Sequence, residues 1–185
     1  MKIISGKYKG LVLPRPYSNT RPTTNKVLQA IFSKLENYLN ISQCIVYDLY
    51  AGTGAFAFEA LSRGCKKAYL NDRNEQTAKR LREFIKFNKI SEAIIYSKNA
   101  KRIKMNDETP AMLVVFLDPP YNTFYSELTK VLENLVETKL IILEGRVQNL
   151  AMYLNALNSL FQLSDFSQFY QSIYGDTIIF FITKS

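Results

Sequence analysis

The residues best suited to chemistry in this chain are acids and glycines that close apolar runs. The stretch VVFLDPPYNTFY, residues 114–125, ends an apolar run in Asp118, Pro119, Pro120 and Tyr121. Further upstream, DLYAGTGAFAFE sets Asp48 just ahead of Gly52 and Gly54. Asp72 follows the run KAYLN, 18 residues after Gly54, and Asn99 follows AIIYSK. Two glycines one residue apart let a chain turn tightly and bring its backbone against a ligand. Ala57 stands where a dinucleotide fingerprint has its third glycine, so the pair alone points only weakly to a nucleotide.

The acids sharpen that pointer. A carboxylate before the glycine loop repels a pyrophosphate and attracts a cation. An acid at the end of the second strand accepts hydrogen bonds from ribose hydroxyls. Ribose and positive charge without phosphate describe S-adenosylmethionine. Other roles also fit: Asp48 as the cap of a turn, and Asp72 as the cap of a helix starting near Glu75. Asn99 is placed to hydrogen-bond an adenine edge, or to be an ordinary loop amide.

With such a cofactor beside it, Asp-Pro-Pro-Tyr acquires a use. The exocyclic amine of a purine is a poor nucleophile because its lone pair is delocalised into the ring. Two acceptors beside the amine favour the tetrahedral geometry needed to attack a methyl sulfonium. Asp118 supplies one and the Pro119 carbonyl another, while the prolines fix φ and remove N–H donors. Tyr121 can stack on the base and hold it in line. The competing reading is a rigid turn with no further role.

These residues need strand ends to hold them, and the chain supplies strands. From Cys44 onward runs of period 2 and period 3.6 alternate: CIVYDL, then the helix AFAFEALSR stopped by Gly64, then KAYLN, then a helix over Glu75 to Asn88. AIIYS and MLVVFL read as strands, Ser126 to Val136 as a helix, KLIILE as a strand and Val147 to Leu160 as a helix. FSQFYQSIY and DTIIFFIT, joined through YGD, read as a closing hairpin whose last strand is antiparallel. Alternation of this kind predicts an α/β, mostly parallel sheet covered on both faces. Ahead of it, residues 1–24 form a basic extension with a short β-hairpin in KIIS, YKG and LVLP, and Thr23 or Thr24 caps a helix starting near Asn25. Residues 25–185 make the main domain.

Composition narrows the partners. The chain has 185 residues, a net charge of +8 and no histidine, which removes His-based triads and His metal sites; no metal is expected. No acidic residue precedes Glu36, while Lys2, Lys7, Lys9, Arg15, Arg21, Lys26 and Lys34 do, an asymmetry that suits a polyanion. Cys44 and Cys65 fit neither a zinc pattern nor a disulfide framework and read as buried, reduced thiols of a cytoplasmic protein. No apolar run approaches the ~20 residues that span a bilayer, so no membrane partner is expected.

The combination of KIISGKYKG, RPTT, DLYAGTGAFAFEALSRG, FLDPPY and YGDT resembles the RsmD-type guanine-N2 methyltransferases of small-subunit ribosomal RNA, over nearly the whole chain. The glycine loop and DPPY are shared widely among methyltransferases, whereas SGKYKG, RPTT and EALSRG are more particular to this family. The resemblance implies a seven-stranded Rossmann-like sheet, S-adenosylmethionine as donor, and methyl transfer to N2 of a guanine in ribosomal RNA or an assembling small subunit. It implies Asp48, Gly52 and Gly54 at the cofactor loop, Asp72 at the ribose, Asn99 near the adenine, and Asp118, Pro119 and Tyr121 at the target amine. It gives the basic extension a role, with Lys7, Lys9, Arg15, Arg21 and Lys26 on phosphates and Tyr8 and Tyr17 on bases. The chain departs from the family at Asn99-Ala100, where an acidic residue often precedes the alanine, and at Ala57, where glycine is frequent. A monomer is expected. Adenine-N6 methylation of DNA and a non-catalytic RNA-binding module are the rival functions.

Overall fold

The computed structural model describes residues 1–17, 23–105, 112–120, 123–135 and 138–184. Seven strands form one sheet in the order β3-β2-β1-β4-β5-β7-β6. They are β1 Cys44–Asp48, β2 Lys67–Asn71, β3 Ala93–Tyr96, β4 Met112–Leu117, β5 Leu140–Arg146, β6 Phe166–Tyr174 and β7 Thr177–Lys184. The first five pair in parallel, and β7 is antiparallel to both its neighbours, β5 and β6. The closing hairpin turns at Gly175, whose φ of 64° lies in the left-handed region that glycine adopts without a Cβ clash. Because β1 and β4 are neighbours while β2 and β3 run off to one side, the strand order reverses between β1 and β4, and a crevice opens there at the carboxyl ends.

Side chains alternate across each strand. Val114 and Phe116 of β4 enter a core with α1 (Asn25–Tyr38), α2 (Ala55–Ser62) and α3 (Glu75–Phe87). Val115 and Leu117 enter a second core with α4 (Tyr125–Glu133) and α5 (Leu150–Leu163) on the opposite face. A stack of Phe32, Phe56 and Phe116, with centroids 5.1 and 4.3 Å apart, fixes α1 and α2 to the first face. Tyr47, Tyr69 and Tyr96 stack in the same way across β1, β2 and β3, at 4.5 and 5.9 Å. Cys44 and Cys65 are buried and unpaired, and desolvation pushes their thiols up to about 11 and about 12.

Three local expectations change. The last helix does not begin at Val147: residues Val147–Asn149 make one 3₁₀ turn, tied to the hairpin by Val147 N–H donating to the Asp176 carbonyl. α5 then continues to Leu163, since its apolar pattern runs past Leu160 and the first breaker is Ser164, whose hydroxyl donates to the Leu160 carbonyl. The helix after the DPPY stretch starts at Tyr125 and ends at Glu133, and Val136 lies outside the described residues.

The third concerns the N-terminal hairpin, which is reduced to a single bridge, Lys2 to Val12. Hydrogen bonds from Ile3 to Leu11, Gly10 to Ile3 and Leu13 to Met1 extend it, but no regular strand forms. Helix α2 holds this segment instead. Glu59 accepts from the Ile4 and Ser5 amides at 2.7 and 3.1 Å, Ser62 Oγ accepts from Tyr8 N–H, and the Ser62 carbonyl accepts from Lys7 N–H. Gly6 has φ 80°, and a Cβ there would fall on the Ser62 carbonyl. The SGKYKG and EALSRG stretches are thus two halves of one joint, with Ile3 and Leu13 entering the first core.

Candidate active site

A cavity of about 560 Å³ opens in the crevice, lined by the ends of β1, β2, β3 and β4. Asp48 ends β1 inside it and is 1 % exposed. Burial pushes its carboxyl up to about 7; the backbone amides of Ala57 and Tyr50 pull it down, and the Asp72 and Glu144 carboxylates push it up. Its Oδ1 has no hydrogen-bond partner among the described residues, and neither has the buried hydroxyl of Tyr50 beside it. Both residues line the cavity. Gly52 and Gly54 form the loop above, with φ of 53° and 75°. At Gly54 a Cβ would also strike the Phe58 ring and Leu70, so α2 packs closely under the loop only with glycine there.

Asp72 does not cap α3. Asn74 does, its oxygen accepting from Gln76 and Thr77. Asp72 instead accepts from Gly52 N–H through Oδ2 at 3.1 Å and from Asn74 N–H through Oδ1 at 2.8 Å. The first bond ties the glycine loop to the end of β2. Each oxygen keeps a lone pair for a further donor. Asn71, which the sequence reading passed over, is the fastener beneath: its amide donates to the Leu49 and Lys98 carbonyls and accepts from Lys98 N–H, joining the ends of β1, β2 and β3. Asn99 lines the cavity, and its oxygen caps the following 3₁₀ turn by accepting from Lys101 N–H at 3.2 Å.

Asp118, one residue past β4, faces the cavity with Pro119 and Pro120. The Pro120 carbonyl accepts from Thr123 N–H, which closes the proline turn. Tyr121 lies outside the described residues. Beside Asp118 stands an acid that sequence reasoning missed. In the β4–β5 register Leu117 pairs with Leu143, so the next residues, Asp118 and Glu144, are cross-strand neighbours. Glu144 is buried, and its Oε2 accepts from the hydroxyl of Thr23 at 2.8 Å. Its carboxyl is pushed up to about 7 by burial, against the Thr23 hydrogen bond and the Arg146 charge. Asp118 is raised well above the carboxylate range by burial and then by Glu144 and Asp48, with Arg146 opposing. The signal was present in the sequence: Glu144 closes the run KLIILE as Asp48 closes CIVYD.

The basic residues divide into two groups. Arg15 and Lys26 are exposed, the first next to Pro16 and the second three residues after Thr23, both of which line the cavity. The Arg15 and Pro16 carbonyls accept from Arg80, Tyr17 N–H donates to Thr77 in the first turn of α3, and Arg80 lies over the Tyr17 ring at 5.1 Å. Thr24 caps α1 by accepting from Val27 N–H, which leaves Thr23 free to turn inward to Glu144. Lys7 and Lys9 are exposed at the opposite end. Lys7 is anchored at the last turn of α2 and reaches Glu92, ahead of β3, at 3.8 Å. The eight residues of α2 put about 12 Å between that turn and the loop. Arg21 lies outside the described residues.

The donor set suits S-adenosylmethionine. A buried carboxylate oxygen without a partner and a buried phenol without a partner need a ligand with positive charge and a hydrogen-bonding group. Asp72 offers acceptors for a diol, and the Phe56 and Phe116 rings give the cavity an apolar floor. Fold and site together define a methyltransferase that uses S-adenosylmethionine.

Comparison with known proteins agrees. The family model described as conserved hypothetical protein 95 matches residues 1–182. Ribosomal RNA small subunit methyltransferase D of Escherichia coli K12 is 32 % identical over 154 residues, which is 80 % of this chain and 76 % of that protein. A putative rRNA methyltransferase of Bacillus subtilis, YlbH, is 34 % identical over 126 residues, 65 % of this chain and 67 % of the relative. The solved structure of the putative methyltransferase yhhF from Escherichia coli superposes with a TM-score of 0.78 at 24 % identity, covering 100 % of this chain and 98 % of that one. The magnesium protoporphyrin IX methyltransferase of Synechocystis with bound SAM shares the fold alone, with a TM-score of 0.67 at 12 % identity over 90 % of this chain and 87 % of that one. The chain belongs to the conserved hypothetical protein 95 family, that of the small-subunit rRNA methyltransferase D proteins.

Proposed function

We propose that this enzyme transfers the methyl group of S-adenosylmethionine to the exocyclic N2 amine of a guanine in small-subunit ribosomal RNA. The observation that carries the reading is Asp118, which with Pro119 lines the same cavity as Asp48, whose buried Oδ1 has no partner among the described residues. The cofactor, when bound, supplies an electrophilic methyl group on a cationic sulfur. Asp48 and the Gly52–Gly54 loop hold it, Asp72 takes its ribose, and Asn99 lies at its base. Asp118 accepts an N–H of the amine and the Pro119 carbonyl accepts the other, which turns the nitrogen lone pair towards the methyl group. The amine becomes strongly acidic after attack, so Asp118 can carry its proton away without being a strong base. Tyr121 stacks on the base in this reading.

Residues 1–24 serve as a basic RNA-binding extension of a methyltransferase domain over 25–185, with Lys7, Lys9, Arg15, Arg21 and Lys26 on phosphates. The joint between that extension and α2 supports its acting in a fixed place. We take the enzyme to work as a cytoplasmic monomer on ribosomal RNA or on an assembling small subunit. Among the described residues no helix is long and apolar enough to cross a membrane. Mass spectrometry of nucleosides from the ribosomal RNA of a deletion strain tests the reading. Loss of N2-methylguanosine at one small-subunit position, restored by the gene, supports it. An unchanged N2-methylguanosine content overturns it, and loss of methyladenine from DNA would favour the adenine rival.

A further inference from the structure

Asp48, Asp118 and Glu144 close three adjacent strands, β1, β4 and β5. They also share a face. Val46, Phe116 and Ile142, two residues before each of them, all enter the core beneath α1 and α2. Side chains two apart on a strand point the same way, so the three carboxyls converge on that side of the crevice. Neighbouring strands are about 4.8 Å apart, close enough for cross-strand carboxyls to interact strongly.

The three differ in what they touch. Asp48 and Asp118 line the cavity, whereas Glu144 does not. It lies behind Asp118 and receives the hydroxyl of Thr23, which does line the cavity. Thr23 belongs to the segment that joins the basic extension to α1. The remaining charges around the pair among the described residues are Arg146, on β5 and ion-paired with Asp176, and, lining the cavity, Asp72 and Arg73 after β2, Lys98 after β3 and Glu127 on α4.

We propose that Glu144 is a positioning residue that shares one proton with Asp118 and, through its charge and its link to Thr23, sets the acidity at which Asp118 becomes the acceptor for the target amine. This rests on the methyl-transfer reading above. Two desolvated carboxyls side by side do not both ionise near neutral pH, so the pair holds a single proton between them. The Thr23 hydroxyl and Arg146 favour the charge on Glu144, so Asp118 holds the proton at rest. Asp118 accepts from the amine once that proton has left to solvent or passed to Glu144, whose Oε2 still accepts from Thr23. In the reaction the N–C bond forms as the C–S bond breaks, and the C–S electron pair stays on sulfur. The amine's extra proton passes to Asp118 and then leaves to solvent. Burial raises both carboxyls, and the Glu144 charge raises Asp118 further, while the Thr23 hydrogen bond and Arg146 oppose burial at Glu144.

Glu144→Gln separates the proposal from a structural role. Glutamine keeps the shape and the acceptor for Thr23, and it behaves as a permanently neutral partner. The like charge then disappears, and the acidity of Asp118 must rise. The probe is the protein without RNA, carrying ¹³C-carboxyl aspartate, with the Asp118 signal assigned through Asp118→Asn. We expect its titration midpoint to fall by on the order of one pH unit or more in Glu144→Gln. The acidic limb of single-turnover methyl transfer at saturating cofactor should fall with it. Glu144→Ala, which leaves Thr23 without its acceptor, should shift the limb in the same direction at a lower maximal rate, and Glu144→Gln should recover that rate. An Asp118 midpoint that stays in place in folded Glu144→Gln overturns the proposal whatever the activity. A midpoint that moves while the rate profile stays fixed also overturns it, because the pair would then not govern the reaction. If the parent protein methylates no small-subunit RNA, the substrate reading fails, and the carboxyl titration alone decides the pair.

Discussion

Two buried acids, one beside the first turn of helix α2 and one in its second turn, have opposite fates. Glu59, 0 % exposed, accepts from the Ile4 and Ser5 amides and from Arg63 Nε at 2.8 Å. Arg63 in turn reaches Glu36 and lies over the Phe32 ring. Asp48, 1 % exposed, sits beside the first turn of the same helix with one oxygen unmatched. A buried charge is costly unless paired, so a carboxylate whose partners are all present holds structure together, while one with an empty valence is kept for something that arrives. The helix dipole favours an anion at its amino end and so helps Asp48 stay, but it does not fill the missing hydrogen bond.

The contrast is broken most sharply at Asp118, the acid on the site side. Asp118→Ala should lower single-turnover methyl transfer by about 10²–10⁴-fold. It should leave the thermal midpoint near the parent's, since the residue sits past a strand end on the cavity wall. Asp118→Asn keeps one acceptor oxygen and should retain partial activity. A folded, cofactor-binding Asp118→Ala protein that transfers methyl at the parent rate would reduce the DPPY stretch to a turn.

Glu59→Ala should show the reverse. Removing it leaves two amides unpaired and Arg63 with Glu36 alone, a loss of about 2–5 kcal/mol of stability by urea denaturation. Cofactor affinity of the protein that remains folded should change little. If stability holds and affinity collapses, the assignment of the two acids has been exchanged.

Asp48 sharpens the comparison through pH. Its folded carboxyl titrates at about 7, above its ordinary value. The unfolded chain therefore gives up this proton first, and stability falls as pH rises from about 4 to about 7. Asp48→Asn should flatten that slope and stabilise the ligand-free protein above pH 7 by about 2–4 kcal/mol, while weakening S-adenosylmethionine binding. Denaturation curves at several pH values check the first, and calorimetry the second. Equal stability of parent and variant across this range would mean that Asp48 has a partner after all.

The smallest effect is expected at the far end of α2, where Lys7 and Lys9 lie. Changing both to alanine should weaken RNA binding irrespective of sequence and reduce its salt slope by about 1–2, as two lost phosphate contacts require. An identical slope would leave the RNA path to the other basic residues, Arg15 and Lys26.

Much of this molecule was legible from local pattern. Period-2 runs separated by period-3.6 runs specify a parallel sheet with covered faces, because each apolar stripe must be buried somewhere. The acids and glycines at the run ends then had to meet, since parallel strands put all their carboxyl ends at one edge. Asp48, Gly52, Gly54, Asp72, Asn99, Asp118 and Pro119 do line or frame one cavity. What stayed hidden depended on pairing between distant segments. That Asp118 neighbours Glu144 follows from which strand lies next to β4, and strand order is not written in any one run. That Thr23 turns inward while Thr24 caps α1 depends on Glu144 being there to receive it. Pairing of Lys2 with Val12 alone forms no strand, and the N-terminal segment takes its shape from Glu59 and Ser62, more than fifty positions away. The sequence by itself determined which residues could carry charge to the crevice and on which face of each strand they stand, because periodicity is a local property of the backbone. Only the tertiary structure decided which of those charges became partners and which was left unmatched, because desolvation and repulsion act between neighbours in space.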